Sequence, residues 1–362
     1  MRITLIAGAR PNFMKIAPLI HAIRVEQAQG KNIQCRLVHT GQHYDKALSD
    51  TFFNELSIPQ PDVNLEVGSG SPAVQTANIM MRFEEELISN PTDVVVVVGD
   101  INSTMACSIV AKKRNTQLVH VEAGIRSFDL SMPEEINRMV TDALADHFFT
   151  TSRFANDNLI KAGVDKSRIH FVGNTMIDTL YANLEKFRKP AVWDTGNLIE
   201  KKFLLLTLHR PSNVDDVHTL QDILSQINST CRNFPVIFPA HPRTVTNLKK
   251  LKIKSDNIII VDPLGYLEFM YLVKNAKAVI TDSGGIQEET TVLKIPCITL
   301  RKNSERPETI AEGTNELLPD INQLEEWMKK LFNDTWKKGR IPELWDGKTS
   351  ARIVEILQSI YQ

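Results

Sequence analysis

A short apolar run, Ala278-Val279-Ile280-Thr281, ends in Asp282-Ser283-Gly284-Gly285, and the helical pattern Ile286-Gln287-Glu288-Glu289 begins at once. Backbone without Cβ atoms lets a phosphate come close, and the free N–H groups of a first helical turn favour an anion. Glu289 stands one to two turns further on, where a carboxyl group can accept hydrogen bonds from sugar or ribose hydroxyls. The chemistry implied is capture of a nucleoside diphosphate at the edge of a parallel sheet. The plain alternative is a strand-to-helix turn whose glycines serve geometry alone.

Other chemistry-bearing residues also follow apolar runs. Gly8-Ala9-Arg10-Pro11-Asn12-Phe13-Met14-Lys15 comes directly after the first one. Pro11 suits an early helix position, and Arg10 and Lys15 then stand at a strand's carboxyl end, where open α/β sheets bind ligands. Arg supplies a planar fork and Lys a point charge, a pair suited to a diphosphate. Asp100 ends another run and could simply cap a helix. Glu122, after 118–121, gains nothing local from its position. Glu134 and Arg138 are i,i+4 on a helix, so an exposed ion pair is the cheap reading there, worth under about 0.5 kcal/mol. His209-Arg210 and His241-Pro242-Arg243 end two further runs, and Arg306 adds a cation after another. A phosphate-facing role is expected for His209. His21, His39, His147, His170 and His218 read as structural.

Lys+Arg total 42 against Asp+Glu 43, a net charge of −1, so no single-sign field points to nucleic acid or an anionic membrane. The four cysteines, at 35, 107, 231 and 297, lack metal spacing and read as thiols of a reducing compartment. No metal ligand set is expected. The apolar start of the chain is cut short at Arg10-Pro11-Asn12, too early for a signal peptide, and no stretch reaches the roughly 18–20 apolar residues of a membrane span. A cytoplasmic protein is the expectation. Gly68-Ser69-Gly70-Ser71-Pro72 imitates a dinucleotide fingerprint, but Pro72 interrupts it and the preceding segment is a poor strand. It reads as a polar loop.

The elements that must position these groups alternate along the whole chain. Strands are expected over 2–7, 35–40, 94–99, 118–122, 147–150, 169–172, 203–207, 236–239, 258–261, 278–281 and 297–300. Helices over 11–26, 104–114 and 220–229 fill gaps between them. Continuous β-branched runs such as 94–98 indicate burial on both faces of a parallel sheet, so the fold class is α/β. The best boundary lies in the charged, proline-bearing stretch 173–201. Two Rossmann-like, doubly wound domains facing a central cleft are expected, 1–173 and 174–348, with a final helix over 349–362 closing back on the first.

With these motifs in order, the chain closely resembles the non-hydrolysing UDP-N-acetylglucosamine 2-epimerases. The resemblance runs from Gly8 to about Gly313, carried by GARPNFMKIAP, TGQHYD, GDINST, HVEAGIRS, MPEEINR, LHR, HPRT, DSGGIQEET and ERPET. It implies a GT-B-like fold and interconversion of UDP-GlcNAc and UDP-ManNAc without a cofactor. It places UDP contacts on Arg10, Lys15, Ser283, Gly284, Gly285, Glu289 and Arg306, with Phe269 near the uracil. It places the catalytic centre on Asp100, Glu122, Glu134, Arg138 and His209.

The route so implied is loss of UDP from C1 with removal of the C2 proton, giving 2-acetamidoglucal, then re-addition. A homodimer and a supply of ManNAc for cell-surface polysaccharide are implied as well. Around Gln42-His43-Tyr44-Asp45 the sequence departs from members with a second, activating substrate site, so activation by substrate is not expected. Three rivals stay open: a C2 epimerase of a modified UDP-sugar, a GT-B glycosyltransferase, and a nucleotide-sugar sensor without turnover.

Overall fold

The five valines of β4 (Val94–Val98) are all buried, none with more than 2% of its surface exposed. Branching at Cβ favours the extended backbone, and burial on both faces requires a central strand with helices on each side. A computed structural model describes residues 1–41, 55–231, 234–240, 242–251 and 257–361, with the backbone alone for residues 10, 11, 242 and 243. Gln42-His43-Tyr44-Asp45 and His241 lie outside the described residues. The chain forms two compact units, Met1–Ala182 with Glu343–Gln362, and Asn183–Pro342.

In the first unit β4 joins β1 (Arg2–Ala7), β2 (Gln34–His39), β3 (Val63–Asn64), β5 (Gln117–Ala123), β6 (His147–Thr150) and β7 (Ile169–Phe171). The order is β3-β2-β1-β4-β5-β6-β7 and every pairing is parallel. In the second, β8 (Leu204–Thr207), β9 (Val236–Pro239), β10 (Ile258–Val261), β11 (Ala278–Thr281), β12 (Cys297–Thr299) and β13 (Asn315–Leu317) run β10-β9-β8-β11-β12-β13, again all parallel. The α/β class expected from the sequence is the one observed.

Two strands and a helix go beyond the sequence reading. β3 and β13 are edge strands of two and three residues, too short and polar to register as apolar runs. The glycine run at 68–70 ends in Ser71, whose hydroxyl accepts from the Val74 amide at 3.3 Å and caps the helix Pro72–Ser89. The decoy is therefore a helix start with its own cap and a proline in its first turn.

The helix Arg10–Ala28 carries a proline within it, Pro18. Pro18 has no N–H to give to the carbonyl four residues back, which leaves the Met14 oxygen unserved by its own helix. The Thr179 hydroxyl donates to that oxygen at 2.5 Å. Thr179 lies on the helix Thr175–Asn183, which the sequence reading placed in the second domain. The same helix offers Asp178 to the amides of Thr349 and Ser350, at 3.1 and 2.6 Å, at the start of the final helix Thr349–Tyr361. Buried Trp345 donates its indole N–H to the Thr151 carbonyl at 2.9 Å. The sequence boundary at 173 thus falls before a helix whose hydrogen bonds lie with the first unit, because an apolar helix reads alike whichever sheet it covers.

This repair of a broken ladder is testable. Thr179→Val keeps the shape of the side chain and strips the Met14 carbonyl of its donor. It should cost about 1–2 kcal/mol in urea unfolding. Combining it with Pro18→Ala, which restores a backbone donor, should recover most of that loss.

Candidate active site

Each strand order turns at one place, between β1 and β4 in the first sheet and between β8 and β11 in the second. Open α/β sheets bind ligands just beyond the carboxyl ends of strands at such points. The chemistry-bearing residues gather at both.

In the first unit, β4 runs into Gly99, whose φ is +70°. A Cβ there would stand 3.0 Å from Lys15 Nζ and 3.2 Å from Glu122 Oε2, so both the backbone angle and the space ask for glycine. Asp100 follows, its Oδ2 2.5 Å from Arg138 Nη1. Arg138 is 1% exposed and also donates from Nη2 to Glu135 Oε2 at 2.7 Å. Glu135 accepts in addition from the amides of Ser127 and Phe128, at 2.9 and 3.0 Å. Burial pushes the Glu135 carboxyl upward, but these amides and the guanidinium outweigh it and hold it below the usual range. Asn137 ties the same turn by donating to the Asp100 carbonyl at 2.8 Å.

Glu122 sits where β5 slips register against β6, between Val121 and Ala123, and its φ is +72°. A bulge of this kind re-aims a side chain at the cost of backbone strain. Buried Glu122 forms an ion pair with Lys15. Beneath both turns lies His120, fully buried. Its Nδ1 is 2.6 Å from Asp142 Oδ1 and its Nε2 2.9 Å from the Gly99 carbonyl. Asp142 further accepts from Arg126 Nη1 at 2.6 Å and the Gly124 amide at 3.1 Å. Its carboxyl, raised by burial, is brought below the usual range by His120 and Arg126.

In the second unit, the turn after β8 and the turn after β11 meet at Asp282. This fully buried carboxylate accepts from the amides of His209 and Arg210 and from Asn213 Nδ2, the last two at 2.9 and 3.0 Å. It also pairs with His209 Nδ1 at 2.7 Å. Burial raises Asp282, and the His209 contact leads the interactions that bring it below the usual range. The imidazole is half exposed, with Nδ1 committed and Nε2 left for other chemistry. Ser283 caps the helix Gly284–Leu293 by position, its side chain making no capping bond. The amides of Ser283, Gly284 and Gly285 open that helix, as an anion site requires.

Behind this turn two neighbouring glutamates are held differently. Glu288 pairs with Arg306 Nε at 2.5 Å. Glu289 accepts from the Tyr266 hydroxyl at 3.0 Å, and its pKa is pushed up to about 8 by burial, lowered by Tyr266 and raised again by Glu288. Glu305 is drawn the other way. Burial raises it, but Arg301 and Arg306 bring it down to about 2, and Arg301 Nη2 lies 2.6 Å from it.

Several expectations change in detail. Arg138 is buried and takes Glu135, three residues back, together with Asp100, in place of an exposed pair with Glu134. Glu134 itself is half-buried in the first turn of the helix Pro133–Leu144. Lys15 and Arg306, expected on a diphosphate, each have a carboxylate partner within their own unit. Phe269 is half-buried on the helix Tyr266–Asn275. The side chain of Arg10 lies outside the described residues. Unforeseen were Asp282, visible as the acid before Ser-Gly-Gly, and the His120–Asp142–Arg126 group, whose only local sign was a strand-end histidine two residues before Glu122.

Two parallel Rossmann-like sheets, one carrying the glycine turn and the other a set of strand-end carboxylates, define an enzyme of the GT-B-like α/β class. A family model described as UDP-N-acetylglucosamine 2-epimerase matches residues 26–358. The UDP-N-acetylglucosamine 2-epimerase of Methanocaldococcus jannaschii is 41% identical, covering 99% of both chains. Its crystal structure in complex with UDP-GlcNAc and UDP superposes with a TM-score of 0.88, at 39% identity and over 99% of this chain and 100% of that one. The UDP-2,3-diacetamido-2,3-dideoxy-D-glucuronate 2-epimerase of Pseudomonas aeruginosa is 35% identical over 99% of this chain and 100% of its own length. The chain belongs to the UDP-N-acetylglucosamine 2-epimerase family and is an isomerase.

The state of Glu289 sets a pH dependence. Its pKa rises from the ordinary 4.5 to about 8 on folding, so between those values the folded chain holds a proton that the unfolded chain releases. That stabilising contribution is present below pH 4.5, declines as pH rises, and is gone above about 8. Glu289→Gln keeps an acceptor for Tyr266 and cannot ionise. Its melting temperature relative to the unsubstituted protein should be higher at pH 9 than at pH 5.

Proposed function

We propose that this protein interconverts UDP-N-acetylglucosamine and UDP-N-acetylmannosamine by elimination and re-addition of UDP. The observation that carries the reading is the pair Asp100 and Glu122, at the ends of neighbouring strands and each held by its own cation, Arg138 or Lys15. The C2 proton of the sugar has no adjacent carbonyl to stabilise a carbanion, so its loss must be coupled to departure of a group from C1. One carboxylate takes the C2 proton, the C1–O bond breaks, its electron pair leaves with UDP, and a C1=C2 bond forms. A phosphate oxygen of UDP then adds back to C1 while C2 receives a proton on the opposite face. One proton is lost, another is gained from the opposite face, and UDP is conserved, so the route calls for no redox cofactor.

The residues divide this work by chemistry. The Ser283, Gly284 and Gly285 amides, His209 Nε2 and Arg10 stabilise the departing diphosphate, with Arg306 fixing the glycine turn through Glu288. Glu289, protonated at neutral pH, meets sugar or ribose hydroxyls, and Phe269 lies toward the base. Lys15 holds Glu122 in place and in charge. Glu134 is the third proton-transfer candidate beside Asp100 and Glu122. Keeping the glycal and UDP enclosed together separates epimerisation from hydrolysis.

Under this reading the protein works in the cytoplasm as a homodimer and supplies N-acetylmannosamine for cell-surface polysaccharide. No helix among the described residues is long and apolar enough to cross a membrane. The Pseudomonas relative favours a second substrate, a UDP-diacetamido-glucuronic acid. A carboxylate at C6 would ask for a further cation, whereas Lys15, Arg126, Arg138, Arg301 and Arg306 already have acidic partners. The neutral sugar is the better fit.

Incubation with UDP-GlcNAc alone in deuterated water, followed by proton NMR, tests the scheme. UDP-ManNAc should form without any acceptor and carry deuterium at C2. Asp100→Asn and Glu122→Gln should each lower turnover by roughly 10²–10⁴-fold while UDP affinity changes little. Product lacking the C2 label rules the elimination out, and turnover of the diacetamido-uronic acid alone moves the assignment to that sugar.

A further inference from the structure

We infer that His120 is a positioning residue for epimerisation, clamping together with Asp142 the two strand ends that carry Asp100 and Glu122. The inference rests on the reading of those two carboxylates as proton-transfer groups. It draws on contacts that the reaction scheme leaves unused.

Both ring nitrogens of His120 face oxygen acceptors, the Asp142 carboxylate at 2.6 Å and the Gly99 carbonyl at 2.9 Å. The Gly99 carbonyl belongs to the peptide that leads into Asp100, so the ring fixes the turn on which Asp100 stands. Asp142 in turn accepts from the Gly124 amide at 3.1 Å, two residues beyond Glu122, and closes the far side of the bulge. Arg126 donates to the same carboxylate at 2.6 Å. Asp142 also shares the helix Pro133–Leu144 with Arg138, which grips the Asp100 carboxylate directly. One ring and one carboxylate thus link β4, β5 and that helix.

A role in stability alone would be a costly use of these groups. Fully buried ions are dearer to desolvate than apolar residues of the same volume, and replacing such sets with apolar side chains is often neutral or stabilising. What the cluster contacts explains its chemistry: the Gly99 carbonyl and Gly124 amide, backbone groups of two turns that space alone would not hold. Both turns have left-handed backbone angles, at Gly99 and at Glu122 itself. A reacting group displaced by about 1 Å costs on the order of 10²-fold in rate.

The test compares His120→Gln, Asp142→Asn and their double variant by kcat and KM for UDP-GlcNAc and by UDP affinity from calorimetry. Each single change should lower kcat by roughly 30- to 100-fold with KM and UDP affinity within about twofold. The double variant should be no more than about threefold worse than the poorer single, since the two residues act as one unit. Asp142→Asn, nearly the same shape as the native residue, carries the test should His120→Gln not fold. A kcat within about threefold of the unsubstituted protein, a loss confined to KM, or losses that multiply in the double variant would each overturn the clamp. Asp100→Asn and Glu122→Gln run alongside. If they abolish turnover while His120→Gln retains it, the clamp alone fails. If they too retain turnover, the assignment beneath it fails.

Discussion

Parallel strands all end on one edge, and acidic groups placed there lose much of their water without leaving the reaction zone. An ionised carboxylate in that setting stands only if a cation or several N–H groups come to it. Much of the local structure follows from meeting this demand. The helix Arg10–Ala28 brings Lys15 to Glu122, and the helix Pro133–Leu144 brings Arg138 to Asp100. In the second unit the turn after β8 wraps its amides around Asp282. Taking away one partner of such a pair typically costs about 3–5 kcal/mol, because the other charge is stranded. Buried charges and architecture are therefore hard to vary separately.

Adjacent residues on one helix show how far surroundings decide protonation. Glu288 meets a guanidinium 2.5 Å away, whereas Glu289 meets a phenol and reaches a pKa of about 8. The two side chains differ only in which neighbour their turn of helix presents. Environments that push like groups apart are the usual route to distinct roles for identical residues. Here the charged one braces the arginine, and the neutral one keeps hydrogen-bonding capacity without placing a second negative charge beside the first.

Much of this was legible in the chain itself. Val94–Val98 announces a doubly covered strand, and Asp282-Ser283-Gly284-Gly285 announces a strand-to-helix turn, because each depends on local composition and spacing. Partners distant in sequence were not legible. Spacing alone paired Arg138 with Glu134, whereas the packed helix selects Glu135 and adds Asp100, 38 positions away. His120 finds Asp142 across 22 positions, and Met14 finds Thr179 across 165. The edge strands β3 and β13 were missed for a different reason: two or three residues carry too few side chains to show an alternation.

Glu122 occupies a backbone angle of +72°, a region in which glycine sits without penalty and a side chain does not. Glycine in its place would relieve about 1 kcal/mol of backbone strain, less than the roughly 3–5 kcal/mol lost when the largely buried Lys15 charge is left without its partner. The ion pair thus holds the strained angle in place. A left-handed backbone angle is kept at the carboxyl edge of the sheet by a largely buried pair of opposite charges.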